Sequence, residues 1–378
     1  MKLYDVIIVG AGSMGIAAGY YLTKQGIKTL LIDSFNPPHH QGSHHGSTRI
    51  IRHAYGEGRQ YVALALRAQE LWYALEQESQ QELFINTGVL GIGEVFSPFI
   101  KETIESAQTY NLPLEILKAN EVQKRWPGIQ IPEHYVGCLE TTSGILYSEK
   151  CIQAYRDLTL ENKGSLLCDT AVHDIKMYKD GVTVMTDNGT FHSDKLIVTA
   201  GAWTGKLLPE LELPLQPVRK AFGWFKADES FYDSKRFPAF FFALPDKLYY
   251  GFPSIDGSGV KLGRHDGGQS VDPDQINRTF GADDSDESDL RSFLETFMPH
   301  ASGALIDGKI CIYTKTPDEH FIIDQHPEHD HVMIAAGFSG HGFKFSSVVG
   351  EILSEITVKG KTKHDISVFK LNRKALHI

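Results

Sequence analysis

Apolar residues gather near the start of the chain into a strand-length run, 4–9, which ends on Gly10-Ala11-Gly12-Ser13-Met14-Gly15. The spacing then becomes helical as far as about residue 25. A second apolar run, 28–32, ends on Asp33. Strand, glycine turn, helix, strand and acid in this order predict a βαβ unit. A loop rich in Pro, His and Gly follows at 37–49. A long helix is expected over 59–78, with Val62, Leu66, Leu71 and Leu75 at helical spacing, then a strand at 88–93 and helices at 98–110, 119–126 and 148–161. The period next shortens. Strands at 172–177 and 182–186 flank Asp180-Gly181, and Asn188-Gly189 marks another hairpin turn. A buried strand at 195–199 runs into Gly201-Ala202-Trp203, and 222–225, 248–252 and 260–263 read as strands of an antiparallel sheet. Near the end the opening pattern returns, with a strand at 331–336, the turn Gly337-Phe338-Ser339-Gly340-His341-Gly342 and a helix over 346–356.

Strand–glycine–helix elements at both ends and an antiparallel middle predict an α/β fold (α+β overall). A Rossmann-like nucleotide-binding domain is assembled from distant segments, and a mostly antiparallel-sheet domain is inserted into it. The expected division is 1–82, 146–216 and 315–378 for the first domain, and 83–145 and 217–314 for the second.

The first turn carries chemistry. Gly10 permits the tight bend, Gly12 lets a pyrophosphate approach the backbone, and Gly15 lets helix and strand pack closely. The helix N-terminus offers unpaired N–H groups to phosphates. Asp33 sits where a carboxylate accepts hydrogen bonds from a ribose diol, as for NAD or FAD. The second turn, Gly337 to Gly342, aims backbone N–H groups at another electron-rich group. One dinucleotide has one pyrophosphate, so a second turn suits a flavin ring and tilts the expectation to FAD.

Size and charge narrow the picture. With 378 residues and 42% hydrophobic content the chain builds a sizeable core, and a net charge of −10 without a Lys/Arg run argues against nucleic acid or an anionic membrane as partner. The acidic stretch Asp283-Asp284-Ser285-Asp286-Glu287 reads as a solvated entry to a helix. Cys138, Cys151, Cys168 and Cys311 have no metal or redox spacing. No apolar run reaches membrane-spanning length, and the first strand begins almost at Met1, so a cytoplasmic protein is expected. The histidines at 39, 40, 44, 45 and 53 lack the spacing and the cysteine or acid partners of a metal site, so no metal is expected. As bare residue types, Arg49 and Arg52 read as surface ion-pair formers, Lys344 as a solvated helix-entry residue and Cys311 as a small core residue.

Longer motifs change that reading. The chain resembles the monomeric sarcosine oxidase family of flavoproteins, which includes N-methyl-tryptophan oxidase. The likeness rests on residues 10–15, on Gly42-Ser43-His44-His45-Gly46 with Thr48-Arg49-Ile50-Ile51-Arg52-His53-Ala54-Tyr55-Gly56-Glu57-Gly58, on Tyr249-Tyr250-Gly251-Phe252-Pro253, on Lys261-Leu262-Gly263 with His265, on Cys311 with Tyr313, on Pro317-Asp318-Glu319, and on 337–345. That family oxidises N-methyl amino acids. Hydride passes from the N-methyl group to FAD, water hydrolyses the imine to formaldehyde and the free amino acid, and dioxygen is reduced to hydrogen peroxide.

The resemblance implies FAD linked covalently to Cys311. It implies a cofactor site built from Gly10, Gly12, Ser13, Met14, Gly15, Asp33, Ser34, His44, Thr48, Val172, Gly201, Trp203, Gly340, Gly342, Phe343 and Lys344. Arg49 and His45 would lie by the flavin ring, Arg52 and Lys344 would hold the substrate carboxylate, and Tyr250, Tyr313, Phe241 and His265 would orient the substrate. Lys261 would activate oxygen. The implied enzyme is a monomer acting on sarcosine or another small N-methyl amino acid. N-methyl-L-tryptophan or another secondary amino acid is the alternative substrate, and a non-catalytic flavin protein the alternative class. The chain departs from the pattern at Ser47, where the family carries aspartate near Arg49, and at Phe241, where sarcosine oxidase carries Met. Trp224 is closer to N-methyl-tryptophan oxidase.

Overall fold

A computed structural model describes residues 3–377. Three sheets organise the chain. The first has eight strands, with Leu3–Val9 between Thr29–Ile32 and Gly189–Val198, both parallel to it. Ser165–Leu167 lies beyond Thr29–Ile32, and Val332–Ala336 runs parallel to the end of Gly189–Val198, matching Leu196–Val198 to Val332–Ile334. Ile7, Ile8 and Leu31 are fully buried because both faces of this sheet are covered, which explains the unbroken apolar runs. Helices Ser13–Lys24, Val62–Ser79, Ser148–Glu161 and Ser346–Lys359 contribute to one core on this sheet.

The strand expected at 195–199 is longer, beginning at Gly189. Its first half lacks an apolar run and is extended by pairing with Gly181–Thr186. The first turn of the helix expected at 59–78 is a separate 3₁₀ turn, Arg59–Tyr61.

The second sheet has nine strands, antiparallel except where Ala239–Ala243 runs parallel to Val89–Glu94. Its core side holds a cluster of aromatic rings, Phe240, Phe242, Tyr249 and Phe293 among them, closed by helix Ser285–Phe297. The strand expected at 222–225 spans Gln216–Phe225 and pairs along its length with Leu305–Lys315. Arg219 and Lys220 hide its period because both are buried despite their charge. The acidic stretch is likewise not a solvated loop throughout. Asp286 is buried and takes both ends of the Arg219 guanidinium, at 2.6 and 2.7 Å. A small third sheet joins Thr48–Ile51, Phe84–Ile85 and Gly144–Tyr147.

Candidate active site

Three parallel strands end side by side, and the residues that follow them, Gly10, Thr199 and Gly337, line one cavity of about 600 Å³. This is the carboxyl edge of an open sheet, where such folds take their ligands. Gly10 has a left-handed φ of +91°, and a methyl group there would stand 2.5 Å from the Thr199 carbonyl oxygen. A methyl at Gly15 would stand 1.9 Å from the Gly10 carbonyl oxygen. Gly15 therefore allows turn and helix to close on each other and is absent from the cavity wall. At Gly12 the nearest atom to such a methyl is on His44, 3.7 Å away, so this stretch of backbone lies open. The Asp33 carboxylate accepts from the N–H of Ala11 at 2.7 Å and of Phe35 at 2.9 Å, which fixes it in the cavity wall. Open backbone at a helix start, an anchored acid and the second glycine turn fit a dinucleotide.

Of the residues expected here, Ser13, Met14, Ser34, His44, Arg49, Val172, Gly201, Trp203, Gly340, Gly342 and Phe343 also line the large cavity. His39, Thr170, Thr199 and Ser339 line it too, although none of them was expected to hold the cofactor. Thr48 does not line it; its carbonyl and hydroxyl oxygens turn to Lys261.

Arg49, Tyr313, Gly340 and Phe343 also line a second cavity of about 90 Å³, so the two share a wall. Arg52, Phe241, Tyr250, His265, Cys311 and Lys344, all singled out in the sequence, meet in this smaller space. Glu57, Phe99, Phe222 and His341 join them. Trp224 does not line it; it stacks edge-on against Phe222.

Neither arginine is a surface residue pairing at random. Arg49 donates to the carbonyl oxygens of Ser43, His45 and Thr48 at 2.7–2.8 Å. Its guanidinium is held by backbone carbonyls. Ser47 N–H donates to Glu149, as does Gly46 N–H. Arg52 is buried, closely paired with Glu57, and packed by the rings of Tyr55, Phe241 and Phe99 at 4.4, 5.1 and 5.3 Å. Burial pushes Glu57 up, but the Arg52 guanidinium and other nearby cations outweigh it and hold Glu57 at about 2.

Lys344 Nζ donates to the His341 carbonyl oxygen at 2.8 Å and to Tyr55 Oη at 3.1 Å. An ammonium has three N–H groups, so one remains for a ligand. Burial, with Arg52 nearby, brings Lys344 down to about 7. Burial likewise lowers His265 to about 4 and His341 to about 3, so both imidazoles are neutral at physiological pH.

Behind the small cavity, Lys261 Nζ donates to the Gly46 and Thr48 carbonyl oxygens and to Thr48 Oγ1. It lies 4.9 and 4.6 Å from the Phe222 and Phe252 rings, which both line the cavity. Burial, then Arg49, lowers its pKa well below the usual lysine range. His45 packs 5.8 Å from Phe222, and among the described residues neither of its ring nitrogens has a hydrogen-bond partner. Cys311 is buried with Sγ 3.6 Å from the Ser43 carbonyl oxygen, and burial raises its thiol pKa. Among the described residues no group of His, Cys, Asp and Glu is arranged to hold a metal, and no helix is long and apolar enough to cross a membrane.

A family model described as FAD dependent oxidoreductase matches residues 5–356. Monomeric sarcosine oxidase of Arthrobacter sp. is 57% identical over 379 residues, covering 99% of this chain and 97% of that protein. N-methyl-L-tryptophan oxidase of Citrobacter koseri is 44% identical over 371 residues, covering 98% of this chain and 99% of that one. Among solved structures, the open form of NikD, an amino acid oxidase essential for nikkomycin biosynthesis, superposes with a TM-score of 0.86 at 23% identity over 98% of each chain, a likeness of fold.

Proposed function

This chain belongs to the FAD dependent oxidoreductase family, on the branch that holds monomeric sarcosine oxidase, and from that premise we propose that it oxidises sarcosine. The reaction is sarcosine, dioxygen and water to glycine, formaldehyde and hydrogen peroxide. When bound, FAD would supply the acceptor for the N-methyl hydride and the route for electrons to dioxygen. Gly10, Gly12, Ser13 and Asp33 would hold its ADP half, Cys311 would carry it covalently, and Gly340, Gly342 and Arg49 would face its ring.

The observation that carries the substrate is the small cavity, whose lining includes the buried Arg52 and Lys344 and a set of aromatic rings. Arg52 and Lys344 bind the carboxylate, the first by its planar fork and the second by its remaining N–H. Arg52 already pairs with Glu57, so an entering carboxylate competes with Glu57 for the guanidinium or shares it. Tyr250, Tyr313, Phe241 and His265 orient the amine and its methyl group. Neutral His265 and His341 place no added positive charge beside the amine, which suits a substrate that reacts unprotonated. Lys261 and the neighbouring His45 would stabilise the negative charge that develops as dioxygen is reduced.

Volume favours the small substrate. A cavity of about 150 Å³ accommodates a benzene ring. The 90 Å³ here is too small for an indole without displacement of Phe241 or its neighbours. Residues 1–82, 146–216 and 315–378 would form the FAD-binding domain and residues 83–145 and 217–314 the substrate domain, a division that follows the two large sheets. A monomeric cytoplasmic enzyme completes the proposal.

Anaerobic mixing with sarcosine tests it: the flavin absorbance should bleach, and air should restore it with one peroxide per turnover. Flavin that N-methyl amino acids leave oxidised would indicate a non-catalytic protein, and preferential bleaching by N-methyl-L-tryptophan would move the assignment to the bulkier substrate. Denaturation should leave the flavin on the protein, and Cys311→Ala should release it.

A further inference from the structure

A buried amine, Lys220, stands outside every role described above. It lies on strand Gln216–Phe225, directly opposite Cys311 on the neighbouring strand. Its Nζ donates closely to the Asp266 carbonyl oxygen and, at 3.2 Å, to the Gly267 carbonyl oxygen. Those carbonyls belong to the turn that follows His265. The same Nζ lies 5.5 Å from the centroid of the Tyr313 ring, and that ring is 5.7 Å from His265. Tyr313 lines both cavities and His265 the smaller one. One ammonium thus braces, from behind, two walls of the small cavity.

The turn has few other ties. The His265 N–H donates to the Leu248 carbonyl oxygen at 2.7 Å, and Asp266 is held by Arg264 and by the Leu248 N–H. No other side chain among the described residues donates to the Asp266 or Gly267 carbonyls. An ammonium in this position costs desolvation and persists only where its hydrogen bonds and nearby acids compensate.

We propose that Lys220 is a positioning residue for the small cavity, one that holds the His265 turn and the Tyr313 ring in place. The proposal rests on the sarcosine reading for its kinetic arm only. The charged groups around His265 comprise Glu57 and Glu319, which favour its protonation, and Lys220 and Lys315, which oppose it; His341 and Tyr313 are its ring neighbours. Lys220 is itself lowered to about 8 by burial, so it carries its charge through neutral pH and below.

Lys220→Met removes both donors and charge, while Lys220→Gln keeps a donor without the charge. With imidazole-labelled protein, and His265→Asn to assign the signal, the His265 titration should move up by about one pH unit in both variants. KM for sarcosine should rise about tenfold in Lys220→Met and recover most of that in Lys220→Gln, with smaller changes in kcat. Lys220→Met with an unmoved His265 titration and an unchanged KM overturns the proposal. So does loss of activity that tracks a fall in Tm in both variants while His265 titrates as before, since Lys220 would then only support the fold. If the parent enzyme fails to oxidise sarcosine, the sarcosine reading fails, and the His265 titration still decides the role of Lys220.

Discussion

Lys261 Nζ stands 2.5 Å from the Gly46 carbonyl oxygen, a bond that ties the nine-stranded sheet to the loop beside the large cavity. With the two Thr48 oxygens it occupies all three ammonium N–H groups, so the amine is fixed in direction. Lys261→Met should slow reoxidation of the flavin by dioxygen by about 100-fold or more, the scale of losing one preorganised donor. Anaerobic bleaching by sarcosine should be nearly unchanged. Stopped-flow measurement of the two half-reactions separates them, and equal losses in both would remove Lys261 from oxygen chemistry.

Phe241 should set the size of the substrate. A methyl at Gly91 would meet its ring at 2.1 Å, and Phe99 packs edge-on at 5.3 Å, so the ring is held between the sheet and the cavity. Phe241→Ala should improve kcat/KM for N-methyl-L-tryptophan relative to sarcosine by about tenfold or more, the scale of a few methylenes of pocket volume. An unchanged ratio would place the limit elsewhere in the wall.

Carboxylate affinity should fall as pH rises. Burial, with Arg52 nearby, brings Lys344 to about 7, so its charge is present below that pH and is lost above it. A carboxylate favours the charged form and binds it preferentially. Inhibition by methoxyacetate, whose ether cannot titrate, should therefore weaken about tenfold per pH unit above pH 7. Lys344→Met should bind about 10- to 100-fold less tightly at low pH, with no such slope. A parent profile that stays flat to pH 9 would contradict this role.

The Arg219–Asp286 pair should govern stability rather than chemistry. Both side chains are buried, and each leaves the other uncompensated when removed. Asp286→Ala should cost about 3–5 kcal/mol of unfolding free energy, whereas replacing both partners with apolar residues should recover most of it. Urea denaturation measures the difference. Equal losses in the single and double variants would mean that the pair's attraction, not the stranded charge, dominates.

Features that depend on neighbours along the chain were legible in the order of residues. Residues 4–33 combine a strand, a tight turn, a helix start and an acid, and each is a local requirement of backbone geometry, so the βαβ unit was readable from spacing. The longer motifs at 42–58, 261–265 and 337–345 carried the family and the expected cluster around Arg52, Lys261 and Lys344. Tertiary structure decided what those motifs do not encode: which charges are buried and what compensates them. Arg52 meets Glu57 inside a ring of aromatics, Asp286 leaves an apparently solvated acidic run to pair with Arg219, and Lys220 sits behind His265. A lysine or aspartate has the same letter in water and in a core. Its desolvation cost, its partner and the cavity it borders arise only when strands distant in sequence are packed together.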